Sequence, residues 1–387
     1  MTIQLCFQIF LIPFCLILFG DAAMLVSSQC QKDQQSILIQ LKNNLNFSSS
    51  VSTKLASWNP NGTDCCNWGG VTCSIKGEVI GLDLSDEMIS GEIENSNVLF
   101  GLKNLESLNL AGNDFHFTQI PSRFGGLASL SYLNLSNAGF SGQIPGELSQ
   151  LKRLEVLDLS SYISLFIHPL KLENPNLDTL VQNLPKLRCL YLDNVNISSQ
   201  KSDWCQTLSS SLLDLEVLSL SNCQLSGPLD DSLEKLQSLS IIHLALNNLS
   251  ATVPDFFANF KNLTVMNLGS CSLIGTFPEK VLQLQSLKIL DLSANKNLKG
   301  SLPDFPMNGS LQSLVLSDTN FFGGIPVSIG NLKNLSSIDF SRSNFSGKIP
   351  ESMEKLTQLV SLDLSSNNFI GQIPSFQMCK NLTHVDL

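Results

Sequence analysis

The sequence predicts an α/β repeat fold, in which one short strand per repeat stacks into a long parallel sheet behind a small disulfide-bonded cap. Three observations predict it. Leucine alone accounts for 69 of the 387 residues. The frame L-x-x-L-x-L-x-x-N-x-L recurs along most of the chain, and four cysteines bracket the segment before its first copy. Such a bias toward one residue needs a repeating cause, because ordinary cores mix several apolar types.

The first segment, residues 1–28, is predicted to be a secretory signal peptide. Residues 3–19 are mostly apolar but are short for a bilayer span, which takes about 20 residues. Small residues at 26–28 offer a cleavage pattern that leaves Gln29 as the mature terminus. No Lys or Arg precedes the apolar run, so an uncleaved anchor or a buried helix are the alternatives. We expect a secreted or cell-surface protein with no membrane span within this chain.

Residues 29–78 are predicted to form an N-terminal cap. Apolar residues recur at helical spacing within Asp33 to Asn46, which predicts an amphipathic helix. The cap is too small to be held together by burial alone, so we expect disulfides among its four cysteines, Cys30, Cys65, Cys66 and Cys73. A bond between the adjacent pair is sterically poor, which leaves either sequential or crossed pairing. The spacing does not suit zinc, and no metal is expected.

Residues 79–387 are predicted to hold about thirteen repeats, the last one incomplete. We number these repeats as coils 1 to 13. From coil 6 to coil 12 the frame recurs every 24 residues, six times in succession. The frames begin at Val79, Leu105, Leu130, Leu154, Leu187, Leu215, Leu239, Leu263, Leu287, Leu311, Leu335, Leu359 and Leu382.

Each frame predicts one strand. The alternation L-x-L places two leucines on one face and the residue between them on the other. Stacked strands about 4.8 Å apart then form a parallel sheet with an open, concave face. One coil cannot offset the entropy of ordering its own backbone, so stability has to come from its neighbours.

The ninth residue of each frame, here called the ladder position, is predicted to bond the backbone of adjacent coils. It is Asn in four coils, at Asn113, Asn247, Asn295 and Asn367. Cys223 and Cys271 occupy the same position and are interpreted as buried small donors without redox chemistry. Residues that cannot bond in this way, Ala138, Tyr162 and Val195, predict local irregularity around coils 3 to 5.

Charge and motif content argue against nucleic acid and against catalysis. The net charge is −10, which disfavours binding to phosphates. The chain has no phosphate-binding loop, kinase loop, nucleophile elbow or H-E-x-x-H motif, and its four histidines are dispersed. An Asp row at the strand centres has glycosidase-like spacing, but Asp there is the consensus of the repeat, so it is interpreted as a solvated acidic stripe. We expect no enzyme activity and no cofactor.

The middle coils break this Asp and Ser pattern on the predicted open face. Aromatic, cationic and apolar side chains appear there, a mixture that is typical of protein interfaces. Drift on an unselective face is the alternative interpretation. The candidate ligand-contacting residues are Tyr132, Arg188, Tyr191, Asp193, His243, Leu246, Asn267 and Arg342.

Ten N-x-[ST] sequons support passage through the secretory pathway. Any one of them is a weak signal, but ten in one chain are not. They begin at Asn46, Asn61, Asn134, Asn196, Asn248, Asn262, Asn308, Asn334, Asn344 and Asn381.

The frame followed by G-x-I-P resembles the extracellular leucine-rich repeats of plants and covers 309 of 387 residues. In that class G-x-I-P supports a second short strand and a twisted superhelix. The cap sequence from Trp58 to Cys73 resembles the N-terminal cap of plant leucine-rich-repeat receptors. That resemblance implies the pairs Cys30 with Cys65 and Cys66 with Cys73.

Segments such as LYLDNVNIS at 190–198 and GTFPEK at 275–280 resemble the receptor-like proteins of vascular-wilt disease resistance. The resemblance implies a plasma-membrane immune receptor that binds a microbial protein or peptide and signals through partner leucine-rich-repeat receptor kinases. The chain stops within frame 13, without the family's closing cap or membrane span, so we expect a truncated ectodomain. The alternatives are a secreted inhibitor of microbial wall-degrading enzymes and a fragment of a receptor kinase.

Overall fold

The computed structural model describes residues 29–62, 64–91, 93, 98–161, 169–198 and 203–387. The predicted signal peptide and Tyr162 lie outside the described residues. The predicted fold class is confirmed, since the chain forms a repeat solenoid built on one long sheet.

The main sheet has fourteen strands, one for each of the thirteen frames and one from the cap. All neighbours are parallel except the first two, which pair antiparallel. In sheet order the strands are β1 (Val71–Cys73), β2 (Val79–Asp83), β3 (Ser107–Asn109), β4 (Tyr132–Asn134), β6 (Val156–Asp158), β8 (Cys189–Tyr191), β9 (Val217–Ser219), β10 (Ile241–His243), β11 (Val265–Asn267), β13 (Ile289–Asp291), β15 (Ser313–Val315), β17 (Ser337–Asp339), β19 (Ser361–Asp363) and β21 (His384–Asp386).

The strands stay in register through coils 3 to 6, so the irregularity predicted there is wrong for the sheet. Leu133 on β4 pairs with Leu157 on β6, which pairs with Leu190 on β8. These central leucines are fully buried and fix each short strand against its neighbours. Coil 4 runs 33 residues from Leu154 to the start of coil 5 at Leu187, yet β6 and β8 pair in register.

A second set of strands lies beyond the ladder positions, as the G-x-I-P resemblance implied. Five of them form a parallel sheet: β12 (Ile274–Thr276), β14 (Asn297–Gly300), β16 (Asn320–Gly323), β18 (Asn344–Gly347) and β20 (Asn368–Phe369). A separate pair joins β5 (Gly142–Gln143) to β7 (Leu170–Lys171).

Helices lie in the cap and in the coils. The α-helices are α1 (Lys32–Asn44), α2 (Lys54–Ser57), α3 (Leu177–Val181), α4 (Trp204–Ser211) and α5 (Glu279–Leu282). Single 3-10 turns take the equivalent place in other coils, at Leu99–Gly101, Ser122–Gly126, Gly146–Gln150, Asp231–Lys235, Asp255–Asn259, Val327–Asn331 and Glu351–Lys355. Between these turns and the main sheet the leucines form one continuous core from the cap to coil 13.

The cap is held by two disulfides and one aromatic stack. Cys30 bonds to Cys65 and Cys66 to Cys73, with Cα atoms 5.6 and 5.5 Å apart, which is the pairing that the resemblance implied. Trp58 and Trp68 stack with ring centroids 5.7 Å apart. Helix α1 corresponds to the predicted amphipathic helix, with Leu38 and Leu41 fully buried.

Candidate functional site

The side of the main sheet that faces away from the leucine core, here called the open face, carries one row of side chains from end to end. The last residues of successive strands pair from Asp83 on β2 to Asp386 on β21 without a break. The row was predicted from the frame, and it reads Asp83, Asn109, Asn134, Asp158, Tyr191, Ser219, His243, Asn267, Asp291, Val315, Asp339, Asp363 and Asp386.

Asp in this row has a structural task. In coil 4, Oδ1 of Asp158 accepts hydrogen bonds from the backbone N–H of Ser160 at 3.0 Å and from its hydroxyl at 2.6 Å. Asp339 and Asp363 make the same pair of bonds with the serine two residues later. The D-L-S consensus therefore fixes the backbone where each strand ends, which explains its recurrence without catalysis.

The interpretation of this row as a freely solvated acidic stripe needs correction. Asp158 and Asp291 are only partly exposed. Burial raises the pKa of Asp158 to about 6, although hydrogen bonds from Ser160 lower it, and the nearby Asp193 raises it further. Burial likewise raises the pKa of Asp291. These carboxylates resist ionisation because they are crowded by their own sheet.

Four consecutive coils replace Asp in the row. Tyr191, Ser219, His243 and Asn267 end the adjacent strands β8 to β11. Three strand spacings of about 4.8 Å place Tyr191 roughly 14 Å from Asn267. Three of the predicted contact residues, Tyr191, His243 and Asn267, therefore lie in one row, and Asp193 is hydrogen-bonded to Ser219 of that row. Together with Leu246, which follows β10 in coil 7, they are called the central patch below.

Asp193 belongs to the patch but is already engaged. Its carboxylate accepts a hydrogen bond from the Ser219 hydroxyl at 2.6 Å and from the Ser221 backbone N–H at 2.6 Å. Coil 6 has Ser219 where most coils have Asp or Asn, so it lacks the side-chain oxygen that usually accepts from that N–H. Asp193 of coil 5 supplies the missing carboxylate from the neighbouring coil.

His243 lies two strands from Tyr191 on the same row. Burial lowers the pKa of this imidazole, and the negative charge of Asp193 opposes that shift. The lowered pKa favours the neutral ring at neutral pH, and a neutral ring can both donate and accept a hydrogen bond.

Leu246 is the most unusual residue of the patch. It follows His243 by three positions and is 55 % exposed. Its backbone is left-handed, with φ of 60°, a conformation that costs a side chain of this size roughly 1 to 2 kcal/mol. Most other coils place Gly, Asn, Ser, Asp or Ala at the equivalent position. An exposed apolar residue retained in a strained backbone is a common mark of a binding surface.

This strain makes a testable prediction. We expect Leu246→Asn to raise the free energy of unfolding by about 0.5 to 1 kcal/mol, because Asn tolerates the left-handed region better than Leu. Chemical denaturation monitored by circular dichroism measures the change. Ser366→Asn, at the equivalent position of coil 12 with φ of 57°, should change stability less, because Ser is small. A destabilised Leu246→Asn variant would show that Leu246 is held there by packing.

A second cluster of apolar side chains lies on the open face, on β6 and the strands that carry the patch and apart from the leucine core. It is called the apolar floor. The first residues of five adjacent strands form it, and each is at most 6 % exposed. Tyr132, Tyr191 and Ile289 pack against it. This floor stiffens the sheet beneath the patch, and it consists of Val156, Cys189, Val217, Ile241 and Val265.

Three predicted contact residues lie elsewhere. Tyr132 is on β4, two strands before the patch, and exposed Arg342 follows β17, three strands after it. Arg188 is exposed at the start of β8, and its guanidinium Nε donates to Glu216 at 3.0 Å. None of these three extends the row of the patch.

The sequon asparagines lie outside the strands of the main sheet, except for Asn134. Eight of the ten asparagines are exposed, whereas Asn134 and Asn196 are half-buried. Asn134 lies within β4 on the open face itself. The row from Asp158 to Asp386 contains no sequon, although the exposed sequon Asn248 lies two residues beyond Leu246.

Sequence reasoning missed two features. Glu87 holds the ladder position of coil 1, where its buried carboxylate contacts the cap; counting the frame from Val79 would have found it. The apolar floor was also readable as six successive apolar third positions, from Val156 to Ile289. Five further cysteines are buried and lie outside the two disulfides: Cys189, Cys205, Cys223, Cys271 and Cys379. The Sγ atoms of Cys223 and Cys271 donate to backbone carbonyls, as expected.

No helix in the described ranges has the length and apolar character needed to cross a bilayer.

Family models match the cap and the repeats. The leucine rich repeat N-terminal domain matches residues 31–74, and leucine rich repeat models match residues 104–127, 129–151, 214–236 and 309–369. Receptor-like protein 7 of Arabidopsis thaliana is 38 % identical over 337 residues, covering 86 % of this chain and 28 % of the relative. Receptor-like protein 6 of the same plant is 35 % identical, covering 81 % and 28 %.

Receptor-like protein Cf-9 of Solanum pimpinellifolium is 31 % identical, covering 56 % of this chain and 26 % of the relative. The chain thus spans little more than a quarter of these relatives. Among solved structures, the PEPR1–AtPEP1 complex has a TM-score of 0.66 at 32 % identity, covering 92 % of this chain and 48 % of that one. A TDR receptor has a TM-score of 0.58 at 27 % identity, covering 79 % and 59 %. The chain therefore contains a leucine rich repeat N-terminal domain followed by leucine rich repeats, and plant receptor-like proteins are among its relatives by sequence.

Proposed function

We propose that this chain is the ligand-binding ectodomain of a plant cell-surface immune receptor-like protein. In this proposal it recognises a microbial protein or peptide on the open face and signals through partner leucine-rich-repeat receptor kinases. The observation that carries the proposal is the central patch, where four consecutive coils abandon the structural Asp of the row.

The composition of the patch supports binding. Tyr191, neutral His243 and Asn267 offer hydrogen-bonding groups in one row, while exposed Leu246 offers apolar surface. Aromatic and apolar anchors beside polar groups are the usual energetic centre of a protein interface. The stiff apolar floor limits the ordering cost of binding, because the backbone is already fixed.

The relatives support the biological setting. Three of them are receptor-like proteins, and one similar solved structure is that of PEPR1–AtPEP1. Two disulfides and eight exposed sequons fit a protein that folds in the secretory pathway and works outside the cytosol.

A glycan placed on the patch tests the proposal. Gly269→Ser gives Asn267 the same N-L-S sequon that Asn134 already has, and serine holds this position in eight other coils. The probe is the protein fraction of a vascular-wilt fungus culture filtrate, passed over immobilised chain secreted from plant cells. We expect a saturable component to be retained by the wild type and by the control Gly269→Ala, and lost with Gly269→Ser.

The same component should increase co-precipitation of a leucine-rich-repeat receptor kinase with the wild-type chain in leaf extracts. Equal retention by the glycosylated variant would contradict binding at the central patch. Retention without any effect on kinase association would contradict the signalling half of the proposal.

A further inference from the structure

We propose that Asn134 carries an N-glycan that packs on Tyr132 and covers the open face over β3 to β6. The consequence for ligands, that they are confined to β8 and beyond, rests on the proposed function. The glycan itself does not, and the two are tested separately.

The geometry of the Asn134 side chain presents the nitrogen that receives the glycan. Its Oδ1 accepts a hydrogen bond from the backbone N–H of Ser136 at 2.9 Å. Because the amide oxygen is turned toward its own chain, Nδ2 lies on the opposite side of the group. There it donates to the Tyr132 hydroxyl at 3.2 Å.

Tyr132 is placed to support the first sugar. Residues two apart in a strand project from the same face, and the hydrogen bond between the two side chains shows that they are in contact. The ring therefore offers an aromatic surface next to the attachment point. Sugar C–H groups pack well on such a surface. At the sequon of Asn262 the aromatic residue two positions earlier, Phe260, is fully buried in the core and offers none.

Two other asparagines have the same side-chain geometry as Asn134 but do not belong to a sequon. Oδ1 of Asn109 and of Asn267 accepts from the backbone N–H two residues later at 3.1 Å, so all three side chains have the same local geometry. Those two N–H groups belong to Ala111 and Gly269, which lack the hydroxyl that a sequon needs. Only Asn134 of these three is therefore a glycan acceptor.

The chemistry is an ordinary transfer from a lipid-linked oligosaccharide during secretion. The Asn134 amide nitrogen forms a bond to the sugar C1 carbon and loses one proton. The bond from C1 to the lipid diphosphate breaks, and the diphosphate leaves with the electron pair. The nitrogen keeps one hydrogen, which remains available to the Tyr132 hydroxyl.

Glycopeptide mass spectrometry of the chain secreted from plant cells tests attachment. We expect the peptide containing Asn134 to carry a glycan, and Asn134→Asp or Ser136→Ala to lose it. Both variants use residues found at the same positions of neighbouring coils, as in Asp158 and Ala111, so folding should be retained. An unmodified Asn134 in wild-type protein would overturn the proposal.

Two further measurements test the role of the ring and the shielding. Ala111→Ser gives Asn109 the same sequon, but with Ser107 in place of the aromatic residue. Tyr132→Ser keeps the sequon of Asn134 and removes its aromatic residue. We expect both to leave an occupied sequon whose sugar no longer packs on the sheet. Hydroxyl-radical oxidation of Tyr132 should increase when Asn134→Asp removes the glycan, while oxidation of Tyr191 stays unchanged. Equal oxidation of Tyr132 in both proteins would show that the sugar does not cover it, whether or not a ligand binds at the central patch.

Discussion

Replacing Asn295 with alanine is expected to cost about 3 to 5 kcal/mol of stability, more than any exposed substitution in the same coil. Asn295 is 1 % exposed. Its Oδ1 accepts from the backbone N–H groups of Cys271 and Leu273 at 3.0 and 2.9 Å. Its Nδ2 donates to the carbonyls of Leu268 and Leu292 at 2.9 and 2.8 Å. Alanine leaves these buried groups of coils 8 and 9 without partners, at about 1 to 3 kcal/mol each before relaxation.

The experiment has a graded control in the same protein. Asn295→Cys keeps a donor, as Cys271 shows by bonding to Leu244 O at 3.0 Å, so it should cost less than alanine. Asn297→Ala, two residues on and exposed, should be close to neutral. Hydrogen exchange followed by mass spectrometry should show faster exchange first at β11 and β13, since repeat arrays open locally. Equal exchange in the Asn295 and Asn297 variants would contradict the claim that the hydrogen bonds of the ladder residue stabilise these coils.

Replacing Glu87 with glutamine is expected to loosen the cap at neutral pH and to have no effect in acid. Glu87 is 2 % exposed. Its carboxylate accepts from the Ser52 hydroxyl, from the Thr53 hydroxyl at 3.2 Å, and from the N–H groups of Lys54 and Leu55 at 3.1 and 3.3 Å. It therefore caps the N-terminus of α2 and so links the cap to coil 1. Glutamine loses the charge-assisted bonds, a cost of about 1 to 3 kcal/mol.

The pH dependence follows from the direction of the pKa shift. Burial alone would raise the pKa of Glu87, but the hydrogen bonds from Ser52, Lys54, Leu55 and Thr53 together hold it below its ordinary value. A lowered folded-state pKa means that the stabilisation is present above the unfolded value of about 4.3. It is lost as the pH falls through the folded value.

The cap reports this change by fluorescence. Trp58 and Trp68 stack beside α2, and their emission should shift when the cap opens, while Trp204 in coil 5 provides a constant background. The wild type and Glu87→Gln should differ in urea midpoint at pH 7 and converge as the pH falls through the lowered folded-state pKa of Glu87. Glu106→Gln, an exposed carboxylate of coil 2, should match the wild type throughout. A difference between wild type and Glu87→Gln that persisted in acid would show that the charge of Glu87 is not the cause.

The backbone of this protein can be predicted from its sequence because the same residue pattern recurs in every coil. The alternation L-x-L buries the central leucine of every strand, and stacking those leucines sets the register of the whole sheet. That rule holds even where the spacing breaks, so the local irregularity predicted around coils 3 to 5 does not extend to the register of the main sheet. Burial of the central residue outweighs the loss of one ladder bond.

The hydrogen-bond and charge partners of side chains are harder to predict from the sequence, because they belong to different coils. Nothing in coil 5 alone shows that Asp193 is needed by Ser219 and Ser221 of coil 6. Likewise, Asp158 reads as an ordinary solvated carboxylate, yet burial and the nearby Asp193 raise its pKa. Contacts between repeats depend on which neighbour has departed from the consensus, and a single frame cannot show this.

The bond from Asp193 into coil 6 also limits how such an array is rebuilt by gene rearrangement. Unequal crossing-over exchanges whole 24-residue units, and most junctions here would join equivalent surfaces. A breakpoint between coils 5 and 6 would leave the Asp193 carboxylate without its two donors and the Ser221 N–H without its acceptor. Chimeric receptors that exchange these two units together should therefore be secreted well, whereas those that separate them should be retained by quality control.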